Sequence, residues 1–124
     1  HEAEELFNPN AVKVVLEESG LASYFSRAPI PWVRGAFEAG VIPSELPGAP
    51  RFLRHLGMYA YRAGALRTIA AHPMAATERA ESLEQLRALA MGLRIHVTVI
   101  DEPPPPGVDT AADLERANAF FRES

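Results

Sequence analysis

Apolar and polar residues alternate with a period of two through Phe52 to Arg62, the stretch FLRHLGMYAYR. That period predicts a β-strand. Leu56, Met58 and Ala60 share one face, which reads as core; His55, Gly57, Tyr59 and Tyr61 share the other. At strand rise His55 and Tyr59 would stand about 13 Å apart, able to hold two ends of one elongated polar ligand. Glycine inside a strand marks a bulge or a close approach to the backbone. The other reading of the pattern is a bulge at Gly57 with both side chains packed under a helix.

Elsewhere the pattern gives a hairpin and then helices. Residues 1–10 are acidic and turn-rich, with Asn8-Pro9-Asn10 as a turn. Val12–Leu16 is a short β-branched strand, interrupted by Lys13, which reads as a solvated edge lysine. Glu17–Gly20 turns the chain and Leu21–Ser26 returns as the second strand. Pro29 and Pro31 then force extended backbone. Arg27 sits where the strand ends, the place where α/β proteins gather ligand contacts. Trp32–Gly48 reads as loop with one helical turn, and its apolar residues either fold back on the core or meet another subunit.

A short helix is predicted over Ala65–Ala71 and a longer one over Glu78–Met91, ended by Gly92. Leu83, Leu86, Leu89 and Ala90 form its apolar stripe; Glu84 falls nearly opposite, exposed and in reach of Arg87, with Gln85 between the two faces. Ile95–Ile100 reads as a strand, with His96 and Thr98 on its polar side. The prolines that follow Asp101 end pairing. Thr110 can cap a last helix whose core face holds Leu114, Ala117 and Phe121. Asp109, just ahead of it, either compensates the helix dipole or serves as a metal- or phosphate-site carboxylate. A hairpin followed by alternating helices and strands makes an α/β layer on a mixed sheet.

Composition narrows the function. The 124 residues suffice for one domain with a core, and 23% charged against 48% hydrophobic is a globular balance. A net charge of −4 without a basic run argues against nucleic acid or an anionic membrane as partner, while leaving room for a small anionic ligand met by a few arginines. The absence of cysteine rules out disulfide and thiolate chemistry and fits a reducing cytoplasm. There is no signal peptide and no membrane-length apolar run. No phosphate loop, nucleophile elbow or metal-ligand cluster is present, and His96 has no partner at metal-site spacing. The opening HEAEELFNPN, polar at once and without methionine, reads as the middle of a longer protein.

Five stretches in order, NPNAVKVV (8–15), YFSRAPIPW (24–32), FLRHLGMYAYRAG (52–64), ESLEQLRAL (81–89) and GVDTAADLERA (107–117), resemble the C-terminal half of CMP-Kdo synthetase, the 3-deoxy-manno-octulosonate cytidylyltransferase family. The resemblance runs along nearly the whole chain. It implies a Rossmann-like nucleotidyltransferase fold, usually a cytoplasmic homodimer using Mg2+. The family joins the acidic sugar Kdo to CMP from CTP, releasing pyrophosphate, for lipopolysaccharide assembly. By the same resemblance Arg27, His55, Tyr59, Glu84 and Gln85 are sugar-binding residues, and Asp109 is a catalytic, Mg2+-holding carboxylate. Residues 1–124 would then be the sugar-binding and dimerisation half, without the N-terminal CTP-binding half and its second metal aspartate, and inactive alone. Gly40–Arg51 looks longer than usual in the family. Two alternatives stand beside it: a non-catalytic acidic-sugar-binding or dimerisation module, and a cytidylyltransferase for another acidic sugar such as a sialic acid.

Overall fold

A computed structural model describes residues 2–101 together with 114, 115, 118 and 119. The hairpin forms as its pattern predicts. Strand β1 (Lys13–Leu16) pairs antiparallel with β2 (Ala22–Ser26), in the register Lys13 to Ser26 and Val14 to Phe25. The register slips between Val15 and Leu16, so that Leu16 faces Ala22. Gly20 supplies the turn's left-handed residue at φ 82°, a conformation that costs glycine little.

Strand β3 is only Leu53–Arg54, antiparallel to the other side of β1, which gives the order β2-β1-β3. The long strand expected through Arg62 therefore does not form. One further ladder bond, from His55 N–H to the Val12 carbonyl at 2.8 Å, ends the pairing. Beyond it the alternation has no facing strand to bury it, and Met58, placed on the expected core face, is 74% exposed. Ile95–Ile100 is similarly reduced. It meets the start of β2 through Ala22 N–H to the Ile95 carbonyl and Val97 N–H to the Gly20 carbonyl, and no further.

The acidic lead-in is a helix, α1 (Glu2–Phe7), rather than a turn-rich strand approach. Ala3 and Leu6, three apart, bury its inner side, and three glutamates sit in its first turn, where the helix dipole favours them. The turn expected at Asn8-Pro9-Asn10 follows it, with Asn10 N–H donating to the Asn8 side chain. Lys13 is no edge lysine. It is 2% exposed, and its ammonium donates to the carbonyls of Asn8, Ala11 and Arg27 at 2.9, 2.5 and 2.6 Å. Three donors meet three acceptors, which is what makes a buried ammonium tolerable.

Helix α2 spans Ala63–Ala71 and buries none of its residues. The long helix expected next is broken in two, α3 (Ala76–Glu81) and α4 (Gln85–Ala90). Ser82 makes the break: at φ 53° and ψ 49° it turns left-handed, and its N–H closes on the Glu78 carbonyl. A non-glycine residue is strained there. Ser82→Gly is expected to stabilise the protein by about 0.5–1 kcal/mol, read as a raised unfolding temperature; a lowered one would show that the serine side chain does more than the backbone suggests. Gly92, at φ 79°, ends α4 as anticipated.

Val14, Ala22, Phe25, Leu83 and Leu86 form the core, so one face of β1–β2 packs against α4 and Leu83, two residues ahead of it. The loop after β2 folds back, with its one helical turn at Val33–Phe37. Phe37, 7% exposed, meets the rings of Phe7, Trp32 and Phe52 at 5.3, 5.4 and 5.8 Å. Leu114, expected on a core face, is 52% exposed; Ala117 and Phe121 lie outside the described residues.

Candidate functional site

Arg27 and His55, two of the expected site residues, meet the C-terminal end of β2. Its last residue, Ser26, is 3% exposed and donates its hydroxyl to Glu81 Oε1 at 2.6 Å. The next, Arg27, donates its N–H to Glu81 Oε2 at 3.0 Å and its Nε–H to the Glu81 carbonyl at 2.7 Å. Its Nη1 and Nη2 reach the carbonyls of Pro9 and Ser82 at 3.0 and 3.5 Å. A guanidinium carries five N–H donors. Three are spent on the main chain, and two have no partner among the described residues.

His55 approaches from β3. Its ring stands edge-on to Phe25, centroids 5.2 Å apart, so the residue before Ser26 is the floor under the histidine. His55 and Tyr59 do not stand at two ends of a ligand. The chain turns at Gly57, with Met58 N–H donating to the Leu56 carbonyl, and brings Tyr59 Oη within 2.8 Å of His55 Nε2. Tyr61 stacks on Tyr59 at 5.6 Å. Neither reading of Gly57 applies in its strict form: no strand is there to bulge, and among the described residues nothing lies within 4 Å of where a Cβ would be. Burial holds the His55 imidazole below its ordinary pKa of 6.5, and burial together with Tyr61 pushes the Tyr59 phenol up to about 12. At neutral pH the pair is uncharged, a hydrogen-bonding unit suited to hydroxyl groups.

Glu84 and Gln85 follow the break at Ser82. Glu84 is exposed, as the wheel predicts, but its pairing with Arg87 does not form. Arg87 is taken by Glu78 instead, through Nη2 to Oε1 at 2.6 Å and Nε to Oε2 at 2.8 Å. The reason is the break itself, which swings α3 back so that buried Glu78, 3% exposed, presents both oxygens to the guanidinium. Ala75 N–H adds a third bond to the same carboxylate. The Arg87 hydrogen bonds, foremost, hold Glu78 below its ordinary pKa of 4.5. A depressed carboxylate contributes stability that is present above 4.5 and lost as pH falls through the lower folded value. Acid titration should therefore show an unfolding component below pH 4.5 that Glu78→Gln removes; an unchanged acid limb would place the titrating group elsewhere.

Gln85 is 9% exposed, and its Nε2 has no partner among the described residues. An amide donor buried and unmet costs about 1–3 kcal/mol. Asp109 lies outside the described residues. Among the described residues no group of three or more His, Cys, Asp or Glu side chains could hold a metal ion, and no helix is long and apolar enough to cross a membrane. A cleft of about 630 Å3 is lined by Lys13, Pro47, Arg51, Phe52, Arg54 and neighbours, and includes none of the expected sugar residues.

The family model for cytidylyltransferases matches residues 1–95. The chain belongs to the cytidylyltransferase family. Among its relatives are two proteins named 3-deoxy-manno-octulosonate cytidylyltransferase. The one from Marinobacter nauticus is 51% identical over 125 residues, 99% of this chain and 48% of that protein. The one from Hahella chejuensis is 53% identical over 124 residues, 100% of this chain and 48% of that protein. A solved structure of CMP:2-keto-3-deoxy-manno-octonic acid synthetase complexed with CTP superposes with a TM-score of 0.83 at 39% identity, covering 98% of this chain and 45% of that one. This cytidylyltransferase chain thus spans about half the length of the curated relatives it matches, and its α/β fold is part of the nucleotidyltransferase fold.

Sequence reasoning singled out Arg27, His55 and Tyr59 as candidates by position and face, but not what holds them. Glu81, which ties Arg27 to the α3–α4 corner, was hidden inside a helix that reads as continuous. Its one signal was a serine, Ser82, in mid-helix ahead of an apolar stripe.

Proposed function

We propose that the chain is the acceptor-sugar half, the C-terminal half, of a CMP-Kdo synthetase, which transfers CMP from CTP to Kdo and releases pyrophosphate for lipopolysaccharide synthesis. The observation that carries this reading is identity of 51–53% along essentially the whole chain to enzymes of that name. The buried, unmet amide of Gln85 supports a ligand at the same place. The proposed setting is the cytoplasm and the proposed assembly a homodimer, with no nucleic-acid partner.

The anomeric hydroxyl of Kdo attacks the α-phosphorus of CTP; the new O–P bond forms as the bond to the bridging oxygen of pyrophosphate breaks. This half binds and orients the nucleophile. The two spare N–H groups of Arg27 face the Kdo carboxylate, a charge-assisted contact. Gln85 Nε2 donates to a sugar hydroxyl, and exposed Glu84 accepts from another. The neutral His55–Tyr59 pair exchanges its internal bond for bonds to the sugar. Cytidylyltransferases generally use a divalent metal, proposed here as Mg2+ with Asp109 as a ligand; when bound it would neutralise charge on the phosphates. The described residues do not by themselves compose such a site, and no step above depends on it.

The direct test is pyrophosphate release from CTP, Mg2+ and Kdo, by this chain and by the full-length protein that carries it. The expected result is turnover by the full-length protein alone. A folded full-length protein that turns over a sialic acid instead of Kdo, or neither sugar, would overturn the reading.

A further inference from the structure

We propose that Glu81 is a positioning residue for the acceptor site, locking Arg27 to the α3–α4 corner so that the arginine and the Glu84–Gln85 pair move as one unit. The inference rests on the acceptor-sugar reading of Arg27. Glu81 is the last residue of α3, where the helix dipole disfavours a carboxylate. Its place there is accounted for by what it grips 54–55 residues away. One oxygen takes the Ser26 hydroxyl, the other takes the Arg27 N–H, and its main-chain carbonyl takes Arg27 Nε–H. The adjoining Ser82 carbonyl takes Nη2. Ser26 Oγ in turn accepts from Ala28 N–H at 3.0 Å, so the two residues flanking Arg27 are held through the same carboxylate. With Nε and part of each terminal nitrogen fixed, the guanidinium plane is set before any ligand arrives. Three residues past Glu81 come Glu84 and then Gln85, so a shift of this carboxylate displaces both sides of the sugar site together. An arginine that meets a carboxylate through two N–H groups needs its plane fixed in this way.

The experiment is steady-state kinetics on the full-length protein, varying Kdo and CTP in turn, for Arg27→Ala, Glu81→Gln and the double variant. Glu81→Gln preserves size while removing one acceptor. It is expected to raise KM for Kdo about 10-fold, leave KM for CTP within about twofold, and add nothing further in the Arg27→Ala background. If Arg27→Ala leaves Kdo use unchanged, the sugar-site reading itself fails. If Arg27→Ala impairs Kdo use but Glu81→Gln does not, or its full effect adds to that of Arg27→Ala, the sugar reading stands and the positioning role is overturned. An equal effect on both substrates also overturns it, marking a general structural role. Should Glu81→Gln fail to fold, Ser26→Ala, which frees Glu81 Oε1, is read by the same criteria with a smaller shift in the same direction.

Discussion

Lys13→Met is expected to destabilise the full-length protein by about 3 kcal/mol, although methionine matches the lysine stem in length and apolar character. The loss comes from what the ammonium holds. Its three hydrogens are divided among the carbonyls of Asn8, Ala11 and Arg27; removing them takes this donor from all three beside a 2%-exposed side chain, leaving the Asn8 carbonyl, among the described residues, only its bond from Ala11 N–H. Water can reach some of these oxygens, which keeps the cost below the sum of three full desolvation penalties. Burial pushes the Lys13 pKa below 10.5, and the Glu81 carboxylate opposes it. Denaturant midpoints at constant slope measure the effect. A change under about 0.5 kcal/mol, typical of surface positions, would return Lys13 to the solvated edge where its sequence context placed it.

If the proposed acceptor-sugar role holds, His55→Phe lowers kcat/KM for Kdo about 10- to 100-fold in the full-length protein, with KM for CTP little changed. Phenylalanine keeps the edge-on contact with Phe25 at 5.2 Å but removes both ring nitrogens, including the one 2.8 Å from Tyr59. Tyr59→Phe, which removes only the other half of that bond, should act in the same direction and more weakly. Kinetics with each substrate varied separately decide the matter: equal losses for Kdo and CTP would count against a sugar site at this corner.

What could be read from the sequence follows from which interactions are local. The β1–β2 hairpin was legible because a β-branched run, a turn and a return strand holding Tyr24 and Phe25 contain their own pairing. The strand through His55 and Tyr59 was over-read. Its alternation is regular, but a strand needs a neighbour, and β1 offers β3 only Lys13 and Val14 as facing residues. Helix α1 was missed because six residues with three glutamates show a single i, i+3 apolar pair. The long helix was broken by Ser82, whose carbonyl is held by Arg27, 55 residues away, a contact that no window of neighbouring residues contains. The candidate site could be picked out as a set of residue types, since His55, Tyr59 and Arg27 are unusual where they stand. Its wiring through Glu81, Ser26 and Phe25 was not, because every link spans dozens of residues.

Arg87 ties more than one helix. Besides gripping Glu78 on α3, its Nη1 reaches the carbonyls of Ile69 and His72 at the end of α2, at 3.5 and 3.4 Å. Helices of nine, six and six residues are too short to persist in water by themselves. Sharing one guanidinium makes α2, α3 and α4 a single cooperative unit in hydrogen exchange: the amides of all three should open together, and the helix that buries none of its own residues borrows its protection from a side chain two helices away.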